Sequence, residues 1–342
     1  MDDARFDEMA RGLEARLTRR HAGGLATGAL LALGLAMESE AKKKKKKKKC
    51  KPAKVCNGKC GVVTCQKKRF DCGPCGPSGE CDVCASGCAH QTVQAAIDTA
   101  SSGDTITICA GTYTRPTSGA NRNVALIRGK NLTLVGAGAE QTILDGGGVA
   151  TTQMVVAVQN TATASPVTVK LQNMTVTGAN GSPGMVLGTY GVLVSGAGNS
   201  LTLEQVTVRN NTTSGIGGGI GVSEGSLLLG AGTQVRNNSA GSHGGGIYTD
   251  GTLTVNDGAT VRDNQSGASG GGIYNDGTLT LNNGARVSGN AATAGGGIYN
   301  FFGNVTLVVG SEVCANTPND CAGSAGGYSP AICSDTPVCL AS

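Results

Sequence analysis

Leu201, Leu227, Leu253, Leu279 and Val305 stand 26 residues apart, and Leu203, Leu229, Val255, Leu281 and Leu307 keep the same step. A third column, Val208, Val235, Val261, Val287 and Val313, advances by 27 and then by 26. A fixed period in the twenties, built of several short alternating apolar runs and no helical pattern, is the mark of a β-solenoid. One coil cannot bury its own apolar column. Coils stacked about 4.8 Å apart turn each column into a continuous core ladder. The same unit carries a repeated tag, Gly244-Gly245-Gly246-Ile247-Tyr248, then Gly270 to Tyr274, then Gly295 to Tyr299. Asp-Gly, Asn-Asp-Gly and Asn-Asn-Gly punctuate it as turns. Upstream, Ile106 and Ile108 precede Leu132 and Leu134 by 26, and Val169 and Leu171 fill the gap. The expected fold is all-β: a right-handed parallel β-helix of roughly eight coils.

Composition agrees with this class. The chain has 56 Gly, no Trp and four Phe, with 39% hydrophobic residues. That is too few large aromatics for a layered globular core of this length, and too apolar and periodic for disorder.

The repeats resemble those of the polymorphic outer-membrane proteins, and the coil pattern resembles the pectin-lyase-like β-helix group. The first resemblance rests on Gly245-Gly246-Ile247 and its copies, followed by Val208-x-x-Asn211, Val235-x-x-Asn238, Val261-x-x-Asn264, Val287-x-x-Asn290 and Val313-x-x-Asn316. Val stands where those repeats carry Phe, so the likeness is to the repeat type. The Asn column has its own physical reading: Asn tolerates left-handed turns, bonds the backbone beside it, and forms ladders when stacked.

Five segments follow from the order of the chain. Residues 1–41 read as an export signal, with Arg19-Arg20, the apolar stretch Ala22 to Ala36, and Ser39-Glu40-Ala41 as the cleavage region. The paired arginines resemble a twin-arginine signal and point to a secreted or cell-surface protein. Residues 42–49 are eight lysines. The formal net charge is +5, yet the lysine run alone supplies +8 and residues 89–342 are net −4. The basic character therefore lives in a tail, which reads as a solvated spacer or as a tether to anionic wall polymer or lipid headgroups. No aromatic platform accompanies it, so nucleic acid is not an expected partner. Nothing in the sequence sets an oligomeric state.

Residues 50–88 hold nine cysteines among Gly, Pro and Lys. In an exported chain this density reads as a disulfide framework. Cys72-x-x-Cys75 and Cys81-x-x-Cys84 invite zinc, but the interval between the pairs is too short for a ribbon and no His lies in the segment. Nine leaves one over, and Cys109 in the first coil is its expected partner, with Cys88 standing just before the capping segment. That cap is Thr92 to Ser101, where Val93, Ala96, Ile97 and Ala100 recur at helical spacing. Thr92 to Ile97, with Gly103-Asp104-Thr105-Ile106 and Gly111-Thr112-Tyr113, resembles the amino-terminal cap of the pectin-lyase-like group. The β-helix is expected over residues 89–316. Residues 317–342 form a tail, and its Cys321, Cys333 and Cys339, with Cys314 just before it, are disulfide candidates for a closing cap.

Chemistry is sparse along the coils. The fold resemblance implies polysaccharide lyases and hydrolases as the alternative function, and those need converging carboxylates, calcium or a poised base. Asp250 and Asp276 are one coil apart, but both sit in Asp-Gly turns. His243 lies among glycines with no nucleophile specified beside it. No catalytic residue, metal or cofactor is expected. With Ile247, Ile273 and Ile298 facing inward, Tyr248, Tyr274 and Tyr299 face out, as an aromatic ladder that stiffens the sheet or as a platform for sugar rings. Arg209, Arg236 and Arg262 form a second outward row, which needs acids, solvent or an anionic ligand beside it. The expected function is a non-enzymatic, exported structural or adhesive rod of the cell surface, with cell-wall or extracellular polysaccharide as its partner.

Overall fold

The computed structural model describes residues 81–115, 123–148, 154–160, 165–181 and 189–324, together with the backbone of two short strands, Val62–Cys65 and Lys68–Asp71, paired as an antiparallel hairpin. The expected export signal, the lysine run, Cys333, Cys339 and most of the cysteine-rich segment lie outside the described residues.

The fold is an all-β parallel solenoid of about seven turns with one helix among the described residues. Its first face is an eight-stranded parallel sheet that includes Ile220–Ser223, Ile247–Thr249, Ile273–Asn275 and Ile298–Asn300, and closes on Cys321–Gly323. The second and third faces belong to one 14-stranded sheet. Strands such as Thr252–Val255 build the second face, and strands such as Thr260–Arg262 build the third. In two coils the faces are joined through the continuous ten-residue strands Thr168–Thr177 and Ser200–Arg209.

The 26-residue columns are the register of these sheets. Leu201 pairs with Leu227, Leu227 with Leu253, Leu253 with Leu279, and Leu279 with Val305. Leu253, Leu279, Val261, Val287, Ile247 and Ile273 are fully buried in one continuous core. Thr254 and Thr280, between them in sequence, stay half-exposed because alternate strand side chains point to opposite faces. The first coil departs from the expected spacing: Ile106 lies beside Leu134, and Ile108 beside Gly136. A slip of two residues keeps each side chain on its own face, so the core survives the longer coil.

The Asn column is a buried ladder. Asn211, Asn238, Asn264, Asn290 and Asn316 sit inside the corner after the third face. Nδ2 of each of the first four donates to Oδ1 of the next at 2.9–3.0 Å. Each also donates to the carbonyl of the valine column one coil back, as Asn264 does to Val235 at 3.0 Å. Every Oδ1 from Asn238 onward additionally accepts a backbone N–H from the preceding rung. The ladder ends on Asp320, whose Oδ1 accepts both Nδ2 and N–H of Asn316 at 2.9 Å. All amide capacity is used, which is the condition for burying such a group. The left-handed residue is not the ladder Asn but the one before it: Asn210, Asn237, Asp263, Gly289 and Ala315 have φ between 53° and 68°.

The triple-glycine tag is the packing partner of this ladder. A Cβ on Gly246 would lie 2.6 Å from the Gly272 carbonyl and 2.9 Å from Nδ2 of Asn264. Only glycine lets the backbone approach that closely.

The helix Val93–Thr99 covers the open amino-terminal end with Val93, Ala96 and Ile97. Thr92 caps it by accepting from the N–H of Ala95 at 3.2 Å. Lys130 Nζ donates to the carbonyls of Ile97 and Asp98 at its carboxyl end, both at 2.9 Å. Gln94 bonds both the N–H and the carbonyl of Leu126, so its amide stands in for the missing neighbour of the edge strand Ala125–Ile127.

The disulfides settle a pairing that the sequence leaves open, with Cys109 joined to the cysteine-rich segment as expected. Cys109 bonds Cys81, and Cys88 bonds Cys84. The reason is local backbone pairing: Val83 bridges Ile108, and the Cys109 N–H donates to the Val83 carbonyl at 3.0 Å, which sets Cys81 rather than Cys88 alongside. Cys81 and Cys84 are thereby removed from any zinc ribbon. Cys314 and Cys321 are each disulfide-bonded as well.

Candidate binding surfaces

The tyrosine row forms on the first face, with Tyr248 registered against Tyr274 and Tyr274 against Tyr299. Ring centroids are 5.5 Å apart at each step, with planes within 11° of parallel. The row is less displayed than its outward position implies. Tyr274 is only 7% exposed, covered by its two neighbours, by His243 at 4.6 Å and by Phe301 at 6.0 Å. Tyr248 and Tyr299 are half-buried. Ring faces are spent on one another, so the surface offers edges and hydroxyls rather than open platforms.

Sequence spacing missed a further tyrosine beside this row. Gly221 occupies the tyrosine register in the coil before Tyr248, and Tyr190 lies over it. A Cβ on Gly221 would lie 2.6 Å from Cζ of Tyr190. Burial, then the nearby Tyr248 and Asp250, raises the Tyr190 phenol well above its usual range. The glycine in place of tyrosine was the available signal.

Asp250 and Asp276 do lie on successive coils, in the turns that close the first face. The Asp250 carboxylate accepts from the Glu224 N–H at 2.8 Å and from Ser223 Oγ at 3.4 Å. Glu224 has φ 58°, so this bond holds a left-handed corner. Burial raises the Asp250 carboxyl above its ordinary value. Among the described residues no group of three or more His, Cys, Asp or Glu has the geometry to hold a metal ion.

The arginine row stands on the third face, with Arg209 beside Arg236 and Arg236 beside Arg262. Its ends have acidic partners: Arg209 reaches Glu140 at 3.4 Å, and Arg262 pairs with Asp263. Arg236 in the middle has none in contact among the described residues, and its Nε is buried without an acceptor there. Burial, then the charges of Arg209 and Arg262, lowers its guanidinium below the usual value, with Glu140 and Asp263 offsetting part of the effect. Lys170 and Glu204 form a separate pair at 2.8 Å, and that bond holds the Glu204 carboxyl below its ordinary range.

Beside the row lies an open groove of about 640 Å³. It exists because two coils turn the second corner on single left-handed residues, Asn173 at φ 56° and Gln205 at φ 52°. The flanking coils turn there on longer loops, through Ala137 to Glu140 on one side and Gly230 to Gly232 on the other. Asn173 and Gln205 form the floor, while Glu140, Gln234 and Arg236 rise at the sides. The only trace of this in the sequence is the single 27-residue step between Val208 and Val235.

Comparison with known proteins gave no matching family model, no matching curated protein and no matching solved structure.

Proposed function

We propose that the chain is an exported, non-enzymatic β-helix protein of the cell surface, acting as a structural or adhesive rod that binds polysaccharide. The carrying observation is the register of the outer side chains. Stacked coils hold Tyr248, Tyr274 and Tyr299, and Arg209, Arg236 and Arg262, in straight rows at one coil per step. Such rows match a polymer whose own groups repeat along an extended axis. The carboxylate that most resembles a catalytic acid, Asp250, is engaged in holding the Glu224 corner of the preceding coil. The apolar stretch and paired arginines of residues 1–41, and the disulfides Cys81–Cys109 and Cys84–Cys88, support an oxidising, exported setting. The repeats' likeness to polymorphic outer-membrane proteins supports a surface location, and the likeness to the pectin-lyase-like group supports a polysaccharide partner.

A glycan-array screen of the secreted chain tests this reading, run alongside an assay for new reducing or unsaturated sugar ends. Retention of defined glycans with no release of ends is the expected result. Release of ends would move the protein to the lyases or hydrolases, and an empty array would remove the adhesive reading.

A further inference from the structure

We propose that the groove between the Ala137–Glu140 and Gly230–Gly232 loops is a binding site for sulfate or phosphate monoesters on a glycan chain, with Arg236 as the anchoring cation. The proposal rests on the polysaccharide reading above and gives it a place and a charge class.

Two independent features converge there. The first is shape: two neighbouring coils turn tightly while the coils on both sides turn widely, which leaves a channel two coils across. At about 4.8 Å per coil the width suits a single extended chain. The second is an unanswered charge. Arg236 stands between Arg209 and Arg262, and among the described residues it has no carboxylate in contact and a buried Nε without an acceptor. Like charges in register are unfavourable unless an anion joins them.

The chemistry of the lining selects the ligand. Side-chain amides of Asn173, Gln205 and Gln234 hydrogen-bond hydroxyls, and the groove lining includes no aromatic ring for a sugar face to lie on. The groove is thus suited to a hydroxylated chain held by its charged groups. A tetrahedral ester presents three acceptor oxygens, enough for the Arg236 guanidinium and the neighbouring amides together. A carboxylate presents two and is satisfied by one fork.

The test uses the full chain with Lys42 to Lys49 replaced by glutamine, so that the tail does not collect polyanions by itself. Binding is measured to dextran sulfate, phosphorylated mannan, polygalacturonate and neutral dextran, for this protein and its Arg236→Gln, Arg236→Lys and Gln234→Glu variants. Melting temperatures confirm that each variant is folded. Arg236→Gln and Gln234→Glu should each weaken the two esters about tenfold or more, by losing or neutralising a charge-assisted contact. Arg236→Lys should fall between, since it keeps the charge and loses the fork. Unchanged ester binding in both Arg236→Gln and Gln234→Glu overturns the proposal, as does polygalacturonate binding as tightly as the esters. Arg236-independent binding of neutral dextran would overturn it while leaving the polysaccharide reading intact. Failure to bind any glycan would remove both.

Discussion

Nδ2 of Asn264 donates to Oδ1 of Asn290 at 2.9 Å, and that same oxygen accepts the backbone N–H of Asn264 at 3.0 Å. One side chain thereby locks two coils through both its own amide and the main chain. Asn264→Ala should strand the N–H and Nδ2 of Asn238, which donate to Asn264, and remove the side-chain donor from the Val235 carbonyl. Each orphaned buried group costs about 1–3 kcal/mol, so a loss of at least about 2 kcal/mol is expected in urea unfolding. A loss below 1 kcal/mol would mean that water replaces the rung.

Ala315 occupies the left-handed corner that Gly289 fills one coil earlier. That conformation costs a non-glycine residue roughly 1–2 kcal/mol, against about 0.4–1 kcal/mol of extra unfolded-chain entropy for glycine. Ala315→Gly should therefore be neutral to stabilising, by up to about 1 kcal/mol. Gly289→Ala should destabilise, because its Cβ would also meet Oδ1 of Asp263 at 2.7 Å. Paired thermal melts check both signs.

Leu253 is fully buried and Thr254, one residue along, is half-exposed. Leu253→Ala should cost about 2–5 kcal/mol, and Thr254→Asp under about 1 kcal/mol. Leu253→Asp should also open the central coils first in hydrogen exchange, because each coil rests only on its neighbours. Greater disruption by Thr254→Asp would exchange the two faces.

The Asp250 carboxyl is raised by burial. A raised acid binds more protons folded than unfolded, so its contribution to stability declines as pH climbs from the ordinary aspartate range near 3.8 through the raised value. Asp250→Asn keeps an acceptor for the Glu224 N–H and should flatten that part of the pH–stability curve. An unchanged slope would show that the carboxyl is solvated.

Cys81 and Cys109 are 28 residues apart in sequence, while Cys84 and Cys88 are four apart. Chain entropy favours the longer closure, worth about 3 kcal/mol. Cys81→Ser with Cys109→Ser should lower the melting temperature and expose the helix Val93–Thr99 to protease. The Cys84→Ser, Cys88→Ser double variant should do much less. Equal effects would assign the stabilisation to local packing.

The solenoid was legible because its core is a column, and a column is written in sequence as a period. Leu253 above Leu279 needs only subtraction to find. The faces were legible for the same reason, since alternation assigns Thr254 outward once Leu253 is inward. The first coil was misplaced by two residues because Ile106 meets Leu134 across a longer turn, and turn lengths vary without changing the apolar pattern. The partner of Cys109 stayed open in the sequence because three cysteines lie within eight residues, and the Val83–Ile108 bridge decides among them. The groove was hidden because it is made by residues that are missing from two coils rather than present in one. Tyr274 shows a further limit: its direction was readable, but its burial depends on His243 and Phe301 reaching over from other turns.

The asparagine ladder has a direction, and Asp320 gives it a last rung. An ionised carboxylate accepts but has no proton to pass on, so no further asparagine can be added beyond it in the same pattern. Within the ladder every rung is interchangeable, and a duplicated stretch from Asn238 to Asp263 would enter without altering a single bond type. The number of coils is therefore unconstrained in the middle and fixed at the end. A gene encoding such a protein can lengthen it by copying one exact unit, while the stop stays chemically written into one side chain.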